Sequence, residues 1–432
     1  MEPISLAELV RYTWKYSDFY RKFWEQHGFN PEKDFHGDNN LEKIPILTKE
    51  DLLSVPLKHR SILRSRDCHY FLDISSGTTK RPLVILKPYH AMSPYFRFIE
   101  NLDKGLRSSC LILRPPTYAT AFLGAGLQGQ YFPLGSLISL GNTNDLIFSA
   151  YLAKETETDW LMARPSDAVR FATILEQQGY PPSNIMSLYI TGEPLTLAAI
   201  SLLKRLYPNA TTLYVYAMTE GPSSMGLRSS LCATLDVISP SAYHLDTHNF
   251  FFEAVNGLSV VTALHKMPTP LIRYSTGDRI IIKDDVECSC GFPKGTIGII
   301  GPRAGEKSYK IGGYTFQTEE IRRVLQKLSD LVTGDFTLQI EQVADSARLL
   351  NLLHFVIRPV NNPTPFLTQI IAEILEQELY VASSQLLGDA IRQGLIKPIE
   401  IGYDTAFKGC SILPPTEIMK PFHNTEKNAI GK

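Results

Sequence analysis

Cysteine is scarce in this chain, with six in 432 residues. That is far below the density of a disulfide-stapled scaffold, so a hydrophobic core has to hold the fold. Charge of one sign is also lacking. With 43 Lys and Arg against 44 Asp and Glu, no global field favours nucleic acid or an anionic membrane. No apolar run approaches the roughly 20 residues that span a bilayer. The opening MEPISLAELVRYTWKYSDFY has neither the basic start nor the apolar stretch of a secretory signal. The expectation is a cytoplasmic protein that binds neither nucleic acid nor membrane. Internal repeats, low-complexity tracts and a G-x-x-x-x-G-K-[ST] loop are absent too, which argues against solenoids, disordered arrays and Walker-type phosphate sites in turn.

What is present is an ordinary globular composition, 44% hydrophobic and 20% charged, in a chain long enough for two or three structural units. Residues 5–27 read as helix-rich, with Tyr12, Tyr16, Tyr20 and Phe23 spaced as one buried stripe. In KIPILTKEDLL, Thr48 stands three residues ahead of Asp51 and predicts a capped helix start. From about residue 70, strand-like and helix-like runs alternate. CLILRPP at 110–116 reads as a buried strand, and SDAVRFATILEQQG as a helix with Ser166 at its N-cap and Gly179 at its stop. IMSLYITGEP is a strand entering a turn, LAAISLLKRLY a helix, and TTLYVYAMTEG a second strand entering a turn. This βαβ alternation predicts an α/β fold with a largely parallel sheet and active loops at the strand C-termini. Residues 256–301 turn β-rich, and the pattern restarts with helices at 318–328 and near 366–379. The boundary is therefore set near residue 303, giving a large unit, 1–303, and a small one, 304–432.

DISSGTTKRP at 73–82 clusters hydroxyl residues around Gly77 and follows them with Lys80 and Arg81. Hydroxyls beside a glycine can donate several hydrogen bonds to phosphate oxygens while the backbone comes close. Read alone, the stretch is equally a polar surface turn. Three other segments change that balance. SSGTTKRP resembles the S-G-T-T-G-x-P phosphate loop of the adenylate-forming (ANL, AMP-binding) superfamily. YAMTE at 216–220 resembles its Y-G-x-T-E loop, YSTGD at 274–278 its Y-x-T-G-D loop, and SYKIGGYTFQTEEI the segment that opens its small domain. Within that superfamily the chain looks like the phenylacetate–CoA ligases. FYRKFWEQHGF, KIPILTKEDLL, ARPSDAVRFATILEQQG and the TGEP turn at 191–194 carry this likeness.

The resemblance implies a large N-terminal adenylate-forming domain with mixed and parallel sheets, plus a small, mobile α+β C-terminal domain. It also implies roles. Ser75, Ser76, Gly77, Thr78, Thr79 and Lys80 would surround the ATP phosphates, Lys80 standing where the family usually has glycine. Gly192, Glu193 and Pro194 would line the adenine side. Tyr216 would flank the adenine, and Ala217 and Met218 belong to the same loop. Thr219 and Glu220 would contact phosphate and Mg²⁺, since a carboxylate suits a hard cation that also bridges phosphates. Asp278 would accept from the ribose hydroxyls. Near the hinge, GPRAGEK makes Arg303 and Glu306 the family's arginine and hinge acid, with Lys310 just after. The catalytic lysine would be Lys432, in the final GK, with Lys427 as the alternative. Lys432, Glu220 and Thr78 are thus the catalytic set.

CSCG at 288–291 resembles a C-x-C-G element of the same ligases, with Cys232 and His244 upstream in family order. Three thiolates and an imidazole make a tetrahedral structural zinc set with no open position. His248 is the alternative fourth ligand.

The implied reaction is ATP-dependent activation of a carboxylic acid as its acyl-adenylate, followed by transfer to a thiol, with CoA as acceptor. Tyr118, Phe122, Tyr131, Tyr189 and Tyr214 supply aromatic surface for an aryl or arylalkyl acid, or else ordinary core packing. The rivals are transfer to a carrier-protein phosphopantetheine or an amine, nucleotidyl transfer alone, and a non-catalytic nucleotide-binding scaffold. A homodimer is compatible with all of them.

Overall fold

The computed structural model describes residues 3–63, 70–74, 83–88, 109–114, 137–222, 224–288, 290, 292, 294–303, 308–345, 348–382, 385–413 and 416–419. The chain groups into two compact units. One comprises Met1–Ala163, Met186–Gly192 and Thr211–Ala304, the other Arg164–Ile185, Glu193–Ala210 and Gly305–Lys432.

The first unit opens with two helices, α1 (Leu6–Tyr16) and α2 (Asp18–Gln26), where the sequence reads as one stretch. Ser17 divides them. Its backbone is extended and its hydroxyl accepts from the Tyr20 N–H, which caps α2. The break splits the aromatic stripe. Tyr20, Phe23 and Trp24 are buried on α2, whereas Tyr12 and Tyr16 are only half-buried on α1, whose buried residues are Leu6, Leu9, Val10 and Thr13. Short helices α3 (Pro31–Asp34), α4 (Lys49–Leu53) and α5 (Leu57–Arg60) follow. α4 starts with the expected capping box: the Thr48 hydroxyl accepts from the Asp51 N–H, and the Asp51 carboxylate accepts from the Thr48 N–H.

Strands β1 (Tyr70–Ile74) and β2 (Val84–Pro88) pair antiparallel as a hairpin. The main sheet has eleven strands: β3 (Ser109–Arg114), β4 (Leu137–Asn142), β5 (Trp160–Ala163), β6 (Ser187–Thr191), β7 (Thr211–Ala217), β8 (Ser224–Ser229), β9 (Ala242–Leu245), β10 (Phe250–Val255), β11 (Leu258–Ala263), β12 (Tyr274–Val286) and β13 (Gly295–Arg303). Their spatial order is β10-β11-β12-β13-β9-β8-β7-β6-β5-β3-β4. From β4 to β7 the neighbours are parallel. From β7 to β10 they are antiparallel. The βαβ alternation thus builds the parallel half, and the β-rich stretch after it belongs to the antiparallel half. Continuous apolar runs such as Cys110–Leu113, fully buried, mark strands covered on both faces.

Helices α6 (Leu146–Glu155), α7 (Pro165–Gln177), α8 (Leu197–Leu206) and α9 (Ala233–Ile238) intervene along the chain. α7 begins two residues earlier than a Ser166 cap would place it. Arg164 is its N-cap and Pro165 its first residue, where a missing N–H costs no helical bond. The Ser166 side chain is engaged elsewhere, as described below. α7 and α8 lie in the second unit, where the Tyr207 hydroxyl donates to the Ala168 carbonyl at 2.7 Å.

The rest of the second unit comprises β14 (Ser308–Ile311), β15 (Tyr314–Gln317), α10 (Thr318–Leu325), β16 (Val332–Asp345), β17 (Arg348–Pro359), α11 (Pro365–Glu378), β18 (Tyr380–Ala382), β19 (Gln385–Leu386), α12 (Leu387–Arg392), β20 (Glu400–Tyr403), β21 (Cys410–Ile412) and β22 (Thr416–Met419). The helix expected at 318–328 ends as α-helix at Leu325 and tightens into a 3₁₀ turn over Gln326–Leu328. A sheet in the order β20-β17-β16-β21, with β22 also on β16, packs its Phe336, Leu338, Leu353 and Phe355 against Val324, Ile371 and Leu375 of α10 and α11. This is an α+β arrangement. Among the described residues, no helix is long and apolar enough to cross a membrane.

Candidate active site

Ser75 to Lys80, Glu306, Lys427, Lys432, Tyr118, Phe122 and Tyr131 lie outside the described residues. The other motif residues can be placed.

β7 delivers Tyr216 and Ala217 at its C-terminal end and runs into a turn in which the Gly221 N–H reaches the Met218 carbonyl at 3.3 Å. Met218 and Thr219 are half-buried there, and Glu220 is 8% exposed. β12 opens with the other motif segment, from Tyr274 to Asp278. The Thr276 hydroxyl accepts from the Asp278 N–H at 3.1 Å across Gly277, whose φ is +81°, beside a register shift in the strand at Asp278. The two loops meet through side chains. The Tyr216 hydroxyl donates to Asp278 Oδ2 at 2.8 Å, and the Tyr274 hydroxyl donates to Glu220 Oε1 at 3.1 Å. Burial, then the Asp278 carboxylate beside it, push Tyr216 well above the usual phenol range, so it remains a donor at physiological pH. Tyr216 also packs at 5.9 Å against the ring of Tyr243 on β9.

Arg303 is the register partner of Asp278 across β12 and β13. Lys310 pairs with Thr315 in the β14–β15 hairpin of the second unit. Gly192 follows β6 with φ +88°, and a Cβ there would meet Arg114 Nη1 at 2.7 Å. Arg114, at the end of β3, reaches the Thr191 carbonyl at 3.4 Å. Glu193 is engaged within the second unit. Its carboxylate accepts from the Ser166 hydroxyl at 2.7 Å and the Ser166 N–H at 3.3 Å, and lies 3.6 Å from Arg164 Nε. Burial alone would lower Arg164, but Asp167 and Glu193 outweigh it and push the guanidinium up. Tyr189 and Tyr214 are 1% and 2% exposed. Tyr189 belongs to a core cluster with Trp160, Leu213 and Leu227, and Arg228 lies over the Tyr214 ring at 5.7 Å. Of the two readings open for these tyrosines, the structure bears out core packing.

Cys232, His244, Cys288 and Cys290 converge, all four buried, with their ligand atoms within 4.8 Å of one another. Cys232 is the N-cap of α9, His244 lies on β9, and the two other cysteines occupy the connection from β12 to β13. His244 Nε2 is 3.8 Å from Cys232 Sγ and 3.4 Å from Cys290 Sγ. Tetrahedral zinc, with Zn–S about 2.3 Å and Zn–N about 2.0 Å, sets its ligand atoms roughly 3.5–3.8 Å apart, so the set fits. Phe292 stacks on the imidazole at 4.7 Å. Burial, aided by Arg228, lowers His244 to about 4, which keeps it neutral as a ligand must be. Burial raises the Cys232 and Cys290 thiols. For Cys288, burial is outweighed by hydrogen bonds from the Cys290 backbone and neighbouring side chains, and its thiol is held low. His248 is exposed and outside the group.

The partners of Glu220 and Glu193 carry no signal in the sequence: Tyr274 is one residue of YSTGD among others, and nothing in ARPS or TGEP predicts that Ser166 and Arg164 hold Glu193.

No family model matches the chain. The fold is that of the adenylate-forming CoA ligases. One solved structure, 2-hydroxyisobutyryl-CoA ligase with 2-HIB-AMP and CoA in its thioesterification state, superposes with a TM-score of 0.65 over 96% of this chain and 88% of that one, at 17% identity. The same ligase with 2-HIB-AMP in its postadenylation state gives 0.57 over 97% and 91%. In sequence, the particular likeness is to phenylacetate-coenzyme A ligase of Thermus thermophilus. It is 25% identical over 424 residues, covering 95% of this chain and 91% of that protein. The likeness read from the loops therefore extends over nearly the whole chain.

Proposed function

We propose that this protein activates a carboxylic acid with ATP and passes the acyl group to CoA. The observation that carries this reading is the meeting of the two motif loops, which brings Glu220 and Asp278 together through Tyr274 and Tyr216. The full-length likeness to a phenylacetate-coenzyme A ligase supports it.

A substrate carboxylate oxygen attacks the α-phosphorus of ATP, the bond to the bridging oxygen breaks, and pyrophosphate leaves with its electron pair. A thiol then attacks the acyl carbon, giving a thioester and AMP. Most of the catalysis is positioning and charge neutralisation. Asp278 would accept from the ribose hydroxyls, and the loop from Ser75 to Lys80 would receive the phosphates. Glu220, buried and oriented by a phenol, suits Mg²⁺, which neutralises phosphate charge when bound. Lys432 is assigned to the incoming carboxylate and the α-phosphate. Residues 304–432 are assigned as the small mobile domain, with Arg303, Glu306 and Lys310 at its hinge. The Cys₃His set is assigned a structural zinc, because four protein ligands leave no position for substrate. An aryl or arylalkyl acid is the proposed substrate class, a carrier-protein thiol the second acceptor to try, and a homodimer the assembly to test. The described cysteines, Cys110 and Cys410 as thiols and Cys232, Cys288 and Cys290 as zinc ligands, fit a reducing, cytoplasmic setting.

The test is carboxylate-dependent ATP–pyrophosphate exchange over aryl, arylalkyl, fatty and amino acids. One acid class should stimulate exchange, and Glu220→Gln should reduce it roughly 10²–10³-fold with the fold intact. Wild-type exchange in Glu220→Gln would refute the Mg²⁺ role. ATP binding with no exchange for any acid favours the scaffold reading.

A further inference from the structure

The two hydrogen bonds that join the loops are reciprocal. Tyr216 belongs to YAMTE and bonds the acid of YSTGD, while Tyr274 belongs to YSTGD and bonds the acid of YAMTE. They are not a by-product of strand pairing, because β13, β9 and β8 separate β12 from β7 in the sheet. The Tyr274 side is the rigid one. Its ring is 2% exposed in the core with Leu47, Met225 and Tyr216. Its backbone is clamped on both sides, the Leu47 N–H donating to the Arg273 carbonyl at 2.9 Å and the Ser275 N–H to the Leu47 carbonyl at 2.8 Å. Glu220, by contrast, stands in a turn beyond the end of β7. A carboxylate has two oxygens and about four acceptor sites. A fixed donor on Oε1 therefore sets the carboxylate plane without using up Oε2.

We infer that Tyr274 is a positioning residue for the cation-binding carboxylate of Glu220, and that the reciprocal Tyr216–Asp278 bond makes the cation and sugar subsites one interlocked unit. This rests on the proposed function, in which Glu220 meets Mg²⁺ and Asp278 the ribose. Tyr274 is assigned no contact of its own with nucleotide or acid. It acts through Glu220, so its loss shows only when a cation takes part in binding. Tyr216 acts through Asp278, so its loss shows with or without the cation.

The experiment is calorimetric ATP binding to the full chain, in excess Mg²⁺ and in EDTA. Tyr274→Phe keeps the ring and removes the hydroxyl. It should weaken Mg²⁺-dependent binding about ten-fold, the order of one charge-assisted hydrogen bond, and leave binding in EDTA unchanged. Glu220→Asp, which keeps the charge but withdraws it from the phenol, should show the same selective loss and guards against a misfolded Tyr274 variant. Tyr216→Phe should weaken both conditions alike. In Tyr274→Phe/Glu220→Gln, the loss should not exceed that of Glu220→Gln alone. Equal losses of Tyr274→Phe in Mg²⁺ and EDTA, no loss at all, or additivity with Glu220→Gln overturn the assignment. Wild type that does not bind Mg²⁺·ATP overturns the proposed function and this inference with it. Wild type that binds beside an indifferent Tyr274→Phe overturns the inference alone.

Discussion

At the scale of single residues, the first unit carries a buried histidine whose protonation is coupled to folding. His265 is 1% exposed. Its Nε2 meets Asn249 Oδ1 at 2.8 Å, and the Asn249 amide in turn donates to Asp246 at 2.7 Å, so Nε2 carries the proton. Among the described residues Nδ1 has no hydrogen-bond partner, and burial lowers the group to about 4 from its ordinary 6.5. The sign follows from which state takes the proton first. Above pH 6.5 both states hold a neutral imidazole and the full stability is present. As pH falls from 6.5 towards 4, the unfolded chain is protonated and the folded one is not, so stability is lost. The shift corresponds to a loss of roughly 3.5 kcal/mol at most, from about 1.4 kcal/mol per pH unit. Urea unfolding at pH 7.0, 5.5 and 4.5 should show that decline, and His265→Gln should flatten part of it. An equal slope in the variant would mean that other groups carry the pH dependence.

At the scale of elements, the Cys₃His set joins the start of α9, strand β9 and the β12–β13 connection. Neighbouring positions on β9 serve different sites, because successive strand residues point to opposite faces. His244 turns to the cysteines, while Tyr243 packs on Tyr216. Purified protein should hold about one zinc per chain, the stoichiometry of one closed Cys₃His site. Cys288→Ser should lose the metal and lower the thermal midpoint by roughly 5–10 °C, since a structural ion contributes folding free energy. His248→Ala should keep both metal and midpoint. Metal analysis with differential scanning calorimetry checks this, and zinc-free wild type at full stability would dismiss the site.

These elements also show what a sequence can reveal. Thr48 with Asp51 was legible because spacing along the chain carries it, whereas Cys232 with the later C-x-C pair and the YAMTE and YSTGD loops were legible through their resemblance to the motifs of a family. The break at Ser17 was not, because a hydroxyl capping α2 overrode a continuous aromatic pattern. Nor were Tyr274 with Glu220 or Ser166 with Glu193. Those pairs lie 54 and 27 residues apart and exist only once the chain has folded.

At the scale of the whole molecule, the residues of the proposed function fall in both units. Glu220, Asp278, Tyr216 and the Cys₃His set lie in the first, and Lys310 and the stretch ending at Lys432 in the second. In the proposed function, transfer to CoA and transfer to a carrier protein share the adenylation step and differ in the acceptor, so the acceptor has to be read from turnover and not from the first-unit side chains. Acid and ATP alone should release little AMP beyond one equivalent, because the acyl-adenylate stays bound until a nucleophile arrives. Adding CoA should raise steady-state AMP release about ten-fold or more, the equivalent of roughly 1.4 kcal/mol or more in barrier. Lys432→Ala should abolish exchange while leaving Mg²⁺·ATP binding intact, which separates a catalytic charge from a binding one. Following AMP by chromatography, with CoA, pantetheine and a phosphopantetheinylated carrier as acceptors, decides the matter. Stimulation by CoA and pantetheine identifies a small-thiol ligase. Stimulation by the carrier alone moves the acceptor to a protein, and the adenylation half of the proposal stands unchanged.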